Sequence, residues 1–87
     1  MIATMKEVMI SIEEIYVPAK RQHEVDSERV ETIAESILER GFDQAIQVRR
    51  DDDRGRYVLV AGLQRLEAMK ALGEIEVPCL VVQARQR

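Results

Sequence analysis

The chain has 87 residues, of which 46% are hydrophobic and 33% charged, with a formal net charge of −3 at pH 7 and a single cysteine. This balance predicts one soluble, cytoplasmic domain over residues 1–87, with its core at about residues 8–82 and frayed ends at 1–6 and 83–87. It excludes a disordered chain, an internal disulfide framework and a membrane span. Independent DNA binding is not expected either, because it requires many contacts from Lys and Arg to phosphates.

The N-terminal part of the chain predicts one short strand followed by a polar loop. Val8–Ile12 is an apolar run of strand length. The strand must end by Pro18, because proline has no amide hydrogen to donate to a sheet. The segment Ala19–Val25 is polar and basic, which predicts a loop.

A first helix is predicted over Ser27–Arg40. Its apolar residues recur every three or four positions, and glutamates occupy the opposite side, a pattern typical of a half-buried helix. Asp26 or Ser27 offers an N-cap oxygen to the first free amides of this helix. Gly41 stands where a left-handed residue often ends a helix.

The second half of the chain predicts a hairpin, a helix and a final strand. Ala45–Arg50 and Arg56–Ala61 have strand composition and are joined by a polar turn. A second helix follows over Leu63–Leu72, and Val77–Val82 is apolar on both faces, which places it inside a sheet. The order β-α-β-β-α-β predicts a compact, single-domain α+β fold with a mixed sheet and two main helices.

The junction between the hairpin and the second helix is the most informative local feature. A buried strand leads directly into Gly62 and a helix begins at the next residue, so the first helical amides point together and the glycine allows close approach. The helix dipole and the charge of Arg65 favour an anion there. Two interpretations stay open: Arg65 binds a phosphate, or it pairs with a carboxylate such as Glu24 or Asp43.

Other residues that could carry chemistry have simpler explanations. Cys79 lies in an apolar strand and is predicted to be an unreactive core thiol. Because His23 is the single histidine and the cysteine is distant in sequence, no metal site is predicted. The carboxylates of Asp51–Asp53 are expected to be solvated turn residues.

Over nearly its whole length the sequence resembles the ParB/sulfiredoxin-like superfamily, and stand-alone ParB N-terminal domains in particular. Gly62, Arg65 and Ala68 match the ParB box Gly-Glu-Arg-Arg-x-Arg-Ala, which is similar to the Gly-Cys-His-Arg corner of sulfiredoxins. Upstream, Arg21 and the run Gly41–Arg49 resemble the family's arginine, helix and Gly-x-x-Gln-Pro-Ile-x-Val-Arg pattern. The resemblance implies the superfamily's compact fold.

The resemblance also implies a function. It suggests a nucleotide- or phosphate-binding regulatory module linked to plasmid, phage or transcriptional functions. Such a module would act through a protein partner or as a homo-oligomer and would contact DNA only indirectly or weakly. The expected ligand is CTP or ATP with Mg²⁺, without a metal site belonging to the protein. The implied binding residues are Gly62, Leu63 and Gln64 through backbone amides, Arg65 through its charge, and Arg21 and Gln44 along the pocket.

Departures from the family pattern limit what can be transferred. Leu63 stands where sulfiredoxins carry the nucleophilic cysteine, so their chemistry is not expected. One alternative function is a nucleotide-dependent enzyme, either a phosphotransferase or a hydrolase, with Glu24, Asp43 or Glu67 as its base. No catalytic residue is assigned. The other alternative is a protein-interaction domain that binds no nucleotide.

Overall fold

The structure is a computed structural model that describes residues 6–42 and 44–82. The ends that were predicted to fray, apart from Lys6, lie outside the described residues, as does Asp43. Lys6 is exposed and belongs to no helix or strand. The proposed domain boundaries therefore stay a prediction.

The described residues form one mixed sheet of five strands in the spatial order β1-β5-β3-β4-β2. Strand β5 pairs antiparallel with β1 and parallel with β3, so it lies inside the sheet, as its two apolar faces predicted. Strand β4 pairs antiparallel with β3 and parallel with β2. The strands are β1 (Glu7–Ser11), β2 (Ile15–Tyr16), β3 (Ile46–Asp51), β4 (Arg56–Ala61) and β5 (Glu76–Val82).

Three helices accompany the sheet: α1 (Ala19–Gln22), α2 (Ser27–Arg40) and α3 (Leu63–Ala71). The predicted α+β fold and its β-α-β-β-α-β order are confirmed, with α2 and α3 as the two main helices. Three short elements are additional: α1, β2 and a 3₁₀ helix at Ile12–Glu14, which takes the last residue of the predicted strand Val8–Ile12. The prediction of a loop over all of Ala19–Val25 was wrong, because α1 occupies its first four residues, and Tyr16 lies in the two-residue strand β2. One turn of helix and two residues of strand are too short to produce a recognisable sequence period.

The start of α2 follows the prediction closely. Asp26 is its N-cap, and one carboxylate oxygen accepts hydrogen bonds from the amides of Glu28 at 3.1 Å and Arg29 at 3.4 Å. This carboxylate satisfies amides that have no acceptor within the helix. The helix ends at Arg40 and is followed by Gly41, whose φ of +82° is positive, as in the predicted left-handed residue, but whose ψ of −174° lies outside the left-handed helical region.

The core lies between one face of the sheet and the apolar sides of α2 and α3. The fully buried side chains of the sheet include Ile46, Val48, Val77 and Cys79, and those of α3 include Leu66 and Met69. They form one hydrophobic cluster, against which apolar residues of α2 pack. Because α3 is fixed by this cluster from its first residues, the junction between β4 and α3 is held in a defined position beside β3.

Candidate functional site

The corner between β4 and α3 is shaped by a glycine in an unusual conformation. Gly62 has a φ of +104°, which side-chain-bearing residues rarely adopt. A Cβ atom at this position would lie 2.8 Å from Cγ2 and 2.9 Å from Cβ of Ile46, which is 1% exposed. From the sequence, the presence of a glycine at this position was explained by the close approach of a ligand. The structure gives a separate reason, because β3 already excludes a side chain here.

The first turn of α3 directs backbone amides to the surface while its side chains hold the core. Leu63 is 5% exposed and belongs to the core cluster, so its side chain is not available to a ligand. The first hydrogen bond within the helix joins the Leu66 amide to the Gly62 carbonyl at 2.8 Å. The amides of the three residues between them have no acceptor within the helix. Gly62 has no side chain with which to accept from them.

A cavity of about 290 Å³ lies against this corner. All six residues implied by the resemblance line it, and three further residues complete its wall. The full set is Arg21, Glu24, Arg29, Ile33, Gln44, Gly62, Leu63, Gln64 and Arg65. The fold therefore brings together residues from α1, the loop before α2, α2 itself, the segment before β3 and the start of α3.

Arg29 was missed by the sequence analysis, which treated the polar side of α2 as solvated. Arg29 is the third residue of α2, as Arg65 is the third residue of α3. A cation in the first turn of a helix is unfavourable with respect to the helix dipole. Arg29 could therefore have been identified from the sequence by the same property as Arg65, a positive charge in the first turn of a predicted helix. With Arg21, three arginines and one glutamate line the cavity, in a chain whose net charge is −3.

Hydrogen bonds fix two of the predicted side chains at the cavity. The Arg21 guanidinium donates to the Val60 carbonyl at 3.1 Å, and its Nε lies 3.4 Å from a carboxylate oxygen of Glu24. Arg65 donates to the side-chain oxygen of Gln44 at 3.2 Å. Glu24, one of the two carboxylates considered for Arg65, thus pairs with Arg21. Asp43, the other, lies outside the described residues.

The side chain of Gln64 makes contacts that were not predicted from the sequence. Its backbone faces the corner, but its side-chain amide binds the backbone of the loop before α2. The Nε2 group donates to the Glu24 carbonyl, and Oε1 accepts from the Asp26 amide, both at 2.8 Å. The side chain therefore joins two walls of the cavity.

The remaining candidates lie elsewhere. Glu67 pairs with Lys70 at 3.2 Å, and both residues line a separate groove between α2 and α3. Cys79 is fully buried, and desolvation raises the pKa of its thiol to about 11. The prediction of solvated carboxylates fits Asp52, whose side chain is 87% exposed, but was wrong for Asp51, which is 11% exposed and lies within 3.6 Å of both Arg54 and Arg56.

The described residues 6–42 and 44–82 contain neither a cluster suited to a metal ion nor a helix suited to a membrane. No group of three or more His, Cys, Asp or Glu side chains is arranged to hold a metal ion. None of the described helices has the length and apolar character needed to cross a membrane.

Comparison with known proteins gives consistent results. The family described as the ParB N-terminal domain matches residues 2–87. A probable chromosome-partitioning protein ParB from Vibrio cholerae is 38% identical over 73 residues, which are 84% of this chain and 24% of that protein. The chain thus spans about a quarter of the length of this relative.

Two solved structures are similar over most of the chain. Sulfiredoxin from Arabidopsis thaliana superposes with a TM-score of 0.80 and 28% identity, over 91% of this chain and 86% of that one. A C-terminally truncated ParB from Caulobacter crescentus, complexed with CTP-gamma-S, superposes with a TM-score of 0.77 and 30% identity, over 93% and 46% of the two chains. The superfamily suggested by the sequence is confirmed.

Proposed function

The chain belongs to the ParB N-terminal domain family, and from this premise we propose that it is a regulatory module that binds a nucleoside triphosphate at the corner Gly62–Arg65. One observation carries the proposal. A single cavity joins the first amides of α3 to the guanidinium groups of Arg21, Arg29 and Arg65. Helix N-terminal amides and forked guanidinium groups are the protein groups best suited to polyphosphate.

Each residue has a distinct role in this proposal. The backbone amides of Leu63, Gln64 and Arg65 donate to phosphate oxygens while the Leu63 side chain anchors the turn in the core. Arg65 adds a charge-assisted contact, and Gln44 orients its guanidinium through the 3.2 Å hydrogen bond. Arg21 is held in place by the Val60 carbonyl, so little side-chain entropy is lost when a ligand binds.

CTP is the first candidate ligand and ATP the second. The Caulobacter ParB structure contains a CTP analogue, and a chain 30% identical to it is a reasonable place to test the same ligand. A second cavity of about 460 Å³ shares Gln44, Gly62 and Arg65 with the first and provides room for a nucleoside. Mg²⁺ would arrive with the triphosphate and be held mainly by phosphate oxygens, because Glu24 is the one carboxylate among the described residues of the first cavity.

The biological setting follows from the relatives. The match to a chromosome-partitioning protein favours a role in the partitioning of a chromosome or plasmid, with nucleotide binding as the regulated event. Because the chain carries a net charge of −3, it would contact DNA weakly by itself and act through a protein partner or a second copy.

Glu24 is the observation that favours an enzyme as the second candidate. It lines the arginine-rich cavity, whereas Glu67 lies in the separate groove. A carboxylate beside bound phosphates could orient a water molecule or another acceptor for phosphoryl transfer. This candidate predicts turnover that is lost in Glu24→Gln.

A nucleotide panel separates these functions. Calorimetric titrations with CTP, ATP and GTP, with and without Mg²⁺, are combined with an assay of phosphate release. Saturable binding without turnover is the expected result. Turnover that depends on Glu24 would favour the enzyme, and no binding of any of the three nucleotides would contradict both nucleotide functions.

A further inference from the structure

The side chain of Gln64 connects two parts of the cavity that are distant in sequence. Its Nε2 group donates to the Glu24 carbonyl and its Oε1 atom accepts from the Asp26 amide, both at 2.8 Å. Both ends of one amide group are therefore engaged by the same short loop. Distances of 2.8 Å lie at the short end of the usual range for N–H···O bonds, so the two contacts are well formed.

The loop that Gln64 holds carries the opposite wall of the cavity. Glu24 follows α1, which bears Arg21, and the Glu24 side chain lies 3.4 Å from the Arg21 Nε atom. Asp26 is the N-cap of α2, which bears Arg29. The position of this loop relative to α3 therefore sets how far Arg29 stands from the corner, and it acts on Arg21 together with the bond from Arg21 to the Val60 carbonyl.

These contacts also limit what the Gln64 side chain can do for a ligand. A glutamine in the first turn of a phosphate-binding helix could be expected to donate its amide hydrogens to the ligand. Here the side-chain carbonyl and amide of Gln64 both face backbone groups of the loop before α2. The Nε2 group carries a second hydrogen, but the two bonds to the loop fix the direction in which that hydrogen can be offered to a ligand.

We infer that Gln64 is a positioning residue whose side chain fixes the width of the cavity by holding the loop 24–26 against α3. This inference rests on the proposed nucleotide-binding function. When Gln64 holds the loop, the arginines from α1 and α2 and the amides of α3 are positioned to bind one ligand together. Without the Gln64 bonds, this binding-competent arrangement is only one of several that the loop can adopt. The apparent affinity for the ligand then falls in proportion to the population of the competent arrangement.

Two substitutions at Gln64 and one control test the inference. Gln64→Met keeps the length of the side chain and removes both hydrogen bonds. Gln64→Glu keeps an acceptor for the Asp26 amide and loses the donor to Glu24. Lys70→Met is the matched control, because it introduces the same side chain near the other end of α3 and removes an exposed contact, the 3.2 Å pair with Glu67.

The first readout is hydrogen exchange of the Asp26 amide, measured by NMR without ligand. In Gln64→Met this amide should exchange up to about tenfold faster than in the parent, because its acceptor is gone. In Gln64→Glu and Lys70→Met its rate should stay close to that of the parent. Unchanged Asp26 exchange in Gln64→Met would overturn the inference, and this readout does not depend on nucleotide binding.

The second readout is CTP affinity with Mg²⁺, measured by calorimetry on the parent, Gln64→Met and Lys70→Met. Gln64→Met should bind CTP about three- to tenfold more weakly, and Lys70→Met should bind like the parent. Equal affinity of Gln64→Met and the parent would overturn the inference. If the parent binds neither CTP nor ATP, the proposed function fails. Hydrogen exchange of the Asp26 amide then remains the test of whether Gln64 holds the loop 24–26 against α3.

Discussion

The N-termini of α2 and α3 differ in the residue that occupies the cap position. At α2, the Asp26 carboxylate accepts from the amides of Glu28 and Arg29, so the chain satisfies its own helix end. At α3, Gly62 has no side chain to offer and a φ of +104°, and the first residues of the helix line a cavity. The chain thus supplies an acceptor to two of the first amides of α2, whereas the side chain of the cap residue supplies none at α3.

The two helix ends also share features that make the difference informative. Each helix has an arginine as its third residue, and both arginines, Arg29 and Arg65, line the same cavity. An arginine there opposes the helix dipole at both ends. An anion between the two helices would reverse this unfavourable contribution. Under the proposed function, the ligand is therefore expected at the end of α3, with α2 contributing a supporting charge.

The largest expected effect concerns the shape of the glycine end. Gly62→Ala should destabilise the fold by about 2–5 kcal/mol, from the strain of a positive φ and from overlap with Ile46. Gly55→Ala is the matched control, because Gly55 also has a positive φ, +62°, but nothing lies within 4 Å of its added Cβ. It should cost about 1–2 kcal/mol. Urea unfolding measures both, and equal losses would show that Ile46 does not constrain the corner.

Arg65 has the next largest expected effect, on binding. Arg65→Ala should weaken nucleotide affinity about ten- to a hundredfold, because a charge-assisted contact contributes about 1.5–3 kcal/mol. Arg65→Lys should recover only part of this loss, since an ammonium group lacks the planar fork. Arg54→Ala, at an arginine that is 65% exposed in the β3–β4 turn, should bind like the parent.

The same Arg65 variants decide between the two interpretations left open by the sequence. If Arg65 serves the ligand, Arg65→Ala should change the stability of the ligand-free protein by no more than about 1 kcal/mol, because the loss of its exposed bond to Gln44 is offset by removing a cation from a helix N-terminus. If Arg65 instead forms half of a buried ion pair, its loss should cost about 3–5 kcal/mol of stability. Thermal melts beside nucleotide titrations give the answer, and strong destabilisation with no binding by the parent chain would refute the phosphate site.

The capped end of α2 should show a smaller effect, on stability. Asp26→Ala should lower the free energy of unfolding by about 1 kcal/mol, because the amides of Glu28 and Arg29 lose their acceptor. Asp26→Asn should change it by no more than a few tenths of a kcal/mol, since asparagine caps equally well. Urea unfolding tests this pair, and no difference between the two variants would mean that the carboxylate does not stabilise α2.

Cys79 provides the smallest expected effect on binding and a control in the core. Cys79→Ser should change stability through core packing while CTP affinity stays that of the parent. A large loss of CTP affinity would contradict the separation of the core from the corner at Gly62.

Burial raises the pKa of the Cys79 thiol from its ordinary value of 9.0 to about 11. The unfolded chain therefore loses this proton first, and stability should fall as the pH rises from 9.0 towards 11. Melts of Cys79→Ser should lack this component.

Strong local patterns in the sequence predicted much of the architecture. The limits of α2 follow from its periodic apolar residues, Asp26 and Gly41, and the structure has the predicted limits, Ser27–Arg40. The strand-to-helix corner at Gly62 was also predicted, because Gly62 interrupts an apolar strand directly before a helical segment. The six implied site residues line one cavity, although their role in binding is a proposal.

The elements that the sequence missed lack such local patterns. The helix α1 has four residues, and β2 owes its position to pairing with β4 rather than to a period of its own. The bonds from Gln64 to the loop before α2 join residues about forty positions apart, so they depend on the packing of α2 against α3. Their existence could not be inferred from residue types along the chain.

NMR titration of the labelled protein with CTP and Mg²⁺ tests the central claim most directly. The amides of Leu63, Gln64 and Arg65 should show the largest shifts, and these should saturate as the site fills. The Glu28 amide, already bonded to Asp26 at 3.1 Å, should shift much less. The account would be contradicted by largest shifts in the β3–β4 turn, or by the absence of saturable shifts with CTP, ATP and GTP.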